Sequence, residues 1–293
     1  MKLSEAHSRY LEESGTCKTP ASRRTYQQIL RRLQTFAGDL ELDQFKTDTL
    51  TKFCNGTNLS PNTVKSNRAV VRSFFEWSLY MKFCKHNPSS DLKFTVRPGN
   101  SGVRQHNWLT EDQVVTVLRS QPNTIEGQRA RVVLALGFMC GLRRAEIGSL
   151  RWSSLSADMS RIMLTGKGQK LAQIGVPPQV RQILQEWRKE APLGAIALVP
   201  QFHRNKPGTP VWDEPMGRGG IATLIQRCAD QSAIPFRPHD MRRSYAGILE
   251  TKGVPVGDIS RALRHSNIGV TSTYLDRNPN KAAALADTFT IAL

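Results

Sequence analysis

The chain has 293 residues, room for two domains with separate cores and too many for one small module. Hydrophobic residues make up 39% of it, which excludes disorder over most of the length. Lysine and arginine outnumber acids 41 to 24, a formal charge of +17, and such an excess favours a polyanionic partner: nucleic acid first, an anionic membrane second.

In chain order, the opening MKLSEAHSRYLEES lacks the apolar core of a signal peptide. From Ser22 to Ala37, Tyr26, Ile29, Leu30, Leu33 and Phe36 recur at helical spacing, with Arg23, Arg24, Arg31 and Arg32 on the remaining surface. Ser60-Pro61 reads as an N-cap followed by proline at the first helical position. The helix it starts runs through Val64, Val71, Phe74, Phe75 and Leu79, with Lys65, Arg68 and Arg72 facing away. Either basic face alone reads equally well as solvated helix surface. Two of them, where residues 1–100 hold 16 basic and 9 acidic residues, favour phosphate contacts. Residues 101–293 hold 25 basic and 15 acidic residues, so the excess is not confined to a tail.

Residues 94–107 (FTVRPGNSGVRQHN) lack periodicity and read as a connection, giving a helical domain over 1–95, a linker over 96–108 and a second domain over 109–293. Thr110 and Gln113 form a capping box ahead of Val114, Val117 and Leu118. The apolar segment Ala130–Cys140 follows; the run it belongs to is too short to span a bilayer. Short β-like runs, Arg161–Thr165 and Ala172–Val176, flank Gly166-Lys167-Gly168 as a hairpin. Helical character returns from Gln179 to Trp187 and from Gly220 onward. The five cysteines, Cys17, Cys54, Cys84, Cys140 and Cys228, are scattered with no CxxC pair, which argues against a disulfide framework or zinc site and for a reducing compartment. A soluble, cytoplasmic protein is expected.

Four segments belong together: GLRRAEIGSLRW (141–152), TGKGQK (165–170), HDMRRSYA (239–246) and LRHSNIGVTSTY (263–274). Singly, each has a plain structural account: an exposed Arg143–Glu146 pair, a solvated Lys167, a helix cap at His239-Asp240, a core tyrosine at 274. In this order and spacing they resemble the tyrosine recombinase (phage integrase) family. Its first box is met at Gly141, Leu142, Arg143, Glu146, Ile147 and Leu150, its glycine-lysine-glycine hairpin at Gly166–Gly168, and its H-x-x-R at His239 and Arg242. Its final L-x-H, followed nine residues later by tyrosine, is met at Leu263, His265 and Tyr274. The likeness is strong over about 110–275 and looser before it.

The resemblance implies a mainly α (α+β) protein: an all-helical N-terminal core-binding domain and a mostly helical catalytic domain with a small antiparallel sheet carrying Lys167. It implies site-specific DNA recombination by a 3′-phosphotyrosyl intermediate and a Holliday junction, with no cofactor and no metal. Attack on a phosphodiester loads charge onto non-bridging oxygens, which fixed cations must then neutralise. In the implied roles Arg143 and Arg242 clamp the phosphate, His239 takes the proton of the Tyr274 phenol, Lys167 protonates the leaving 5′-oxygen, and His265 donates to a non-bridging oxygen. Glu146 orients its neighbours. The implied partners are double-stranded DNA, a homotetramer on two duplexes, and accessory DNA-bending or directionality proteins, with no membrane. A bacterial, phage or mobile-element origin fits, and residues 1–100 are expected to hold no additional arm-type domain.

Three departures stand out. Arg264 occupies the place of a glycine, implying a shifted backbone or an added phosphate contact. Arg243 stands where histidine is common and could compete for the phosphate. A long return after Gly168 leaves Lys167 and Lys170 both open as the acid. The tail Asn280–Leu293 has two readings, docking on its own domain or on a neighbouring protomer. Competing classes are a telomere resolvase or type IB topoisomerase with the same chemistry, a DNA-architectural protein without catalysis, and a basic membrane-surface protein.

Overall fold

The computed structural model describes residues 1–16, 19–56, 58–92, 108–165 and 171–264. The expected linker up to residue 107, the hairpin tip with Lys167 and Lys170, His265, Tyr274 and the tail lie outside them. The chain falls into two compact units, Met1–Arg104 and Gln105–Leu293. Among the described residues no helix is long and apolar enough to cross a membrane.

The first unit is built from α1 (Leu3–Glu13), α2 (Pro20–Ala37), α3 (Thr47–Cys54) and α4 (Pro61–Tyr80), with a 3-10 turn at Leu42–Gln44. Two helices start in the same way. Thr19 accepts the Ser22 N–H at 3.1 Å ahead of Pro20, and Ser60 accepts the Thr63 N–H at 3.2 Å ahead of Pro61. Proline lacks an N–H that this position would leave unpaired anyway. Tyr10, Leu30, Leu33, Phe45, Leu50, Val71, Phe74 and Phe75 fill the core. Tyr10 meets Phe74 and Trp77 edge-on at 5.4 and 5.3 Å. Phe36 and Leu79, expected on apolar stripes, are instead 53% and 39% exposed. Both sit in the last turn of their helices, and Phe36 lies against Phe53 at 5.7 Å.

The second unit contains α5 (Glu111–Arg119), α6 (Ile125–Phe138), α7 (Arg144–Ser149), β1 (Arg161–Thr165), β2 (Leu171–Gly175) and α8 (Pro178–Glu190). It continues with β3 (Pro200–Phe202), β4 (Pro210–Pro215), α9 (Arg218–Ser232), α10 (Pro238–Thr251) and α11 (Val256–Leu263). The capping box expected at Thr110 and Gln113 is present. The central element is α6, buried on every side from Val132 to Leu136, because a helix that is apolar all round has no face to give to water. It packs against α5, α8, α9 and α10. Each buried valine or leucine there contributes about 1.5–3 kcal/mol. Gly137 faces α10 closely: a Cβ there would stand 2.5 Å from Met241 Cε and 2.8 Å from its Sδ.

Strands β1 and β2 pair antiparallel from Arg161↔Gly175 to Thr165↔Leu171, so the return strand starts one residue earlier than its alternation suggests. In addition to the small sheet that the resemblance implies, a second antiparallel pair, β3–β4, is present. Prolines 200, 210 and 215 and the Asp213-Glu214 pair break its alternation in sequence, and a two-stranded sheet, being all edge, tolerates them. Arg129 of α6 anchors this hairpin. Its guanidinium lies 3.6 Å above the Phe202 ring and donates to the Pro200 carbonyl at 3.0 Å.

Candidate active site

The site grows from the end of α6. Gly141 has φ +61°, and a Cβ there would meet the Tyr245 ring at 2.6 Å, so glycine is required on both counts. The turn delivers Arg143 to the N-cap of α7. Its backbone N–H donates to Glu146 Oε2 at 2.7 Å, and its Nη1 donates to Glu146 Oε1 at 2.8 Å. The spacing that suggested a simple exposed ion pair therefore serves a helix cap as well, with Glu146 only 21% exposed along its side chain.

Arg242, on α10, is 2% exposed. It donates to the Gly141 carbonyl at 2.5 Å and to the Leu263 carbonyl, joining the turn before Arg143 to the end of α11. Arg264 follows as the C-cap of α11 in the left-handed conformation, φ +56°. This explains why a glycine would suit the position. The Arg264 guanidinium donates to Glu146 Oε2 at 2.7 Å, and Arg143 Nη2 donates to the Arg264 carbonyl at 3.4 Å. Burial alone would raise the Glu146 carboxyl. The Arg143 N–H, the Arg264 charge and the Arg143 guanidinium outweigh it and hold the carboxyl below its ordinary range.

His239 stands in the first turn of α10 and is an exposed residue as a whole. Desolvation first, then the guanidinium groups of Arg243, Arg242 and Arg144, disfavour its charged form against the weaker pull of Asp240. The imidazole is thereby kept available to accept a proton. Arg243 reaches Asp240 at 2.9 Å, and Asp240 also caps α10 by accepting the Arg237 N–H at 2.9 Å. The expected competition from Arg243 thus meets a carboxylate already holding that guanidinium.

The structure brings together Arg143, Glu146 and Arg264, with Arg242 joined to the turn before Arg143, and sets His239 near Arg242 on α10; Lys167, His265 and Tyr274 lie outside the described residues. In the first unit, Arg23, Arg24, Arg31 and Arg32 on α2 are exposed, as are Lys65 and Arg72 on α4, with Arg68 half-buried. Arg23 and Arg72 stand 3.6 and 3.5 Å from Glu12 and Glu76. Ser244 is a contact that sequence alone does not reveal: its buried hydroxyl accepts the Leu109 N–H at 2.8 Å and ties that residue to α10. No local motif signals such a contact.

Residues 107–281, more than half of the chain, match the phage integrase family, and the chain belongs to that family. It is a tyrosine recombinase, an enzyme of site-specific recombination. It is similar to the tyrosine recombinase XerC of Xanthomonas axonopodis pv. citri, 26% identical over 248 residues, which are 83% of this chain and 77% of the relative. In fold it is similar to lambda integrase (75-356), solved as a dimer bound to a COC′ core site. The TM-score is 0.72 at 15% identity, with both chains covered in full. It is also similar to a lambda integrase tetramer bound to a Holliday junction, with a TM-score of 0.69 at 15% identity, covering 94% of this chain and 77% of that one.

Proposed function

We propose that the chain cleaves and rejoins double-stranded DNA by metal-independent chemistry, through a 3′-phosphotyrosyl bond to Tyr274, and exchanges strands by way of a Holliday junction. The observation that carries this reading is the meeting of segments 141–152 and 239–246 with the end of α11, joined by Arg242 and Glu146. The chain leads straight from that junction into His265.

In this reading the Tyr274 phenolic oxygen attacks the scissile phosphorus and its proton passes to His239. The bond to the 5′-oxygen breaks, and Lys167 supplies the proton that lets it leave as a hydroxyl; Lys170 is the alternative donor. Arg143 and Arg242 stabilise charge on the non-bridging oxygens, with His265 as a further donor. One phosphodiester replaces another, so no energy source is consumed, and reversal reseals the strand.

The unit over residues 1–95 is the core-type DNA-binding domain, joined by a linker over 96–108 to the catalytic domain over 109–293. The exposed basic faces of α2 and α4 supply phosphate contacts. The fold likeness to a lambda integrase solved as a tetramer on a Holliday junction supports a homotetramer on two duplexes, a ring that needs a heterologous contact from each protomer to the next.

The test is a nicked duplex that releases a short fragment on cleavage and so traps the covalent complex. Wild-type protein accumulates the complex, and Tyr274→Phe binds the duplex without forming it. Equal trapping by the phenylalanine variant removes Tyr274 from the role.

A further inference from the structure

We propose that Arg264 is a positioning residue of the recombination chemistry: its guanidinium locks the Glu146 carboxylate, and through it the Arg143 side chain, in a single arrangement. The proposal rests on the reading of Arg143 as a phosphate-binding group and goes beyond it to a residue that the family pattern leaves as glycine.

Three observations carry it. First, Glu146 Oε2 accepts from both the Arg143 N–H and Arg264, each at 2.7 Å, while Oε1 accepts from Arg143 Nη1 at 2.8 Å. One carboxylate therefore fixes the backbone and side chain of Arg143 together with a second guanidinium. Second, the contact is sheltered, with the Arg264 and Glu146 side chains 18% and 21% exposed, so it is far less screened than an exposed pair. Third, Arg264 holds the left-handed conformation, φ +56°, which disfavours any residue with a Cβ. A position that only had to end α11 would be better filled by glycine.

The charges give the arrangement a consequence. Arg143 and Glu146 alone form a neutral pair, in which the carboxylate competes with a phosphate for the guanidinium. With Arg264 sharing that carboxylate, the group of three carries one net positive charge, and Arg143 is less fully neutralised. The Arg143 Nη2 contact to the Arg264 carbonyl, at 3.4 Å, ties the fork to the same turn.

The experiment uses the full chain and a nicked duplex built on the site recovered by sequencing DNA trapped on the wild-type protein. The rate of covalent complex formation at saturating enzyme and the affinity for the duplex are measured separately for wild type, Arg264→Gly, Glu146→Gln and the double variant. Arg264→Gly is expected to slow cleavage about ten- to a hundredfold, with affinity changed less than about threefold. It keeps the left-handed turn, so its urea midpoint is expected to fall little. The double variant is expected to be no slower than the slower single one, because both substitutions break the same device. Arg264→Lys, which keeps the charge without the fork, is expected to fall between wild type and glycine, and it serves if the glycine variant does not fold.

Wild-type cleavage by Arg264→Gly overturns the proposal. Multiplying effects in the double variant also overturn it, and would assign Arg264 to the phosphate itself. A wild-type chain that forms no covalent complex overturns the underlying reading, and this inference with it.

Discussion

Arg242 and Gly141, 101 positions apart in the chain, meet in a 2.5 Å hydrogen bond from the guanidinium to the carbonyl oxygen. The same buried side chain donates to the Leu263 carbonyl. One arginine thus sets the distance between the turn that presents Arg143 and the helix end that leads to the last box.

Arg242→Ala is expected to damage both fold and chemistry. It leaves two carbonyls without their donor, at about 1–3 kcal/mol each, where Arg143→Ala removes a side chain that is 40% exposed. Urea unfolding of the second unit should show a clear loss for Arg242→Ala and a change within about 1 kcal/mol for Arg143→Ala. Both should lose cleavage. Equal stability of the two variants contradicts the joining role of Arg242.

Gly141→Ala is expected to destabilise the second unit by more than about 1 kcal/mol. The new Cβ would meet the Tyr245 ring at 2.6 Å and Leu263 Cδ2 at 3.1 Å, at φ +61°. Denaturant midpoints measure the first effect. Slower covalent trapping, at protein concentrations where the variant is folded, measures displacement of Arg143.

Much of this was legible in the sequence where the signal is local. Ser60-Pro61 and the Thr110–Gln113 box announce their helices because a cap needs only neighbouring residues. Thr19-Pro20 carries the same signal at the start of α2. The family motifs picked out Arg143 and Glu146, which meet in one ion pair, and Arg242, which reaches the turn before them; His239 lies on α10 with Arg242. Sequence could not show that Arg242 is buried, since arginine is normally exposed and its partners are backbone carbonyls from distant segments. The Arg264–Glu146 contact spans 118 positions and was invisible for the same reason. Helical spacing alone misplaced Phe36 and Leu79, because periodicity names a face but not where a neighbouring helix ends.

The His239 imidazole is expected to titrate below its ordinary value of 6.5, with desolvation first and the neighbouring guanidinium groups next as causes. Because the folded value lies below the unfolded one, the unfolded chain binds more protons between them. Its contribution to stability is therefore complete above about pH 6.5 and lost as pH falls through the folded value. Imidazole proton shifts followed by NMR check this directly. Arg243→Gln should raise the midpoint and Asp240→Asn should lower it; a wild-type midpoint above 6.5 contradicts the account.

The four described cysteines are buried and unbridged. Burial pushes the thiols of Cys54 and Cys228 up to about 11 and that of Cys140 up to about 12, and raises Cys84 as well. Since the thiolate is the reactive form, iodoacetamide at pH 8 should leave these four unmodified in the folded protein and label all of them in urea. Peptide mass spectrometry distinguishes the two. Rapid labelling of Cys140 before unfolding contradicts the packing of the α6 end.

The most direct measurement identifies the amino acid that becomes joined to DNA. The covalent complex trapped on the nicked duplex is digested with protease and nuclease, and the nucleotide-bearing peptide is sequenced by mass spectrometry. The account predicts a single 3′-linked nucleotide on Tyr274. A linkage to any other residue, or to the 5′ end of the broken strand, contradicts it.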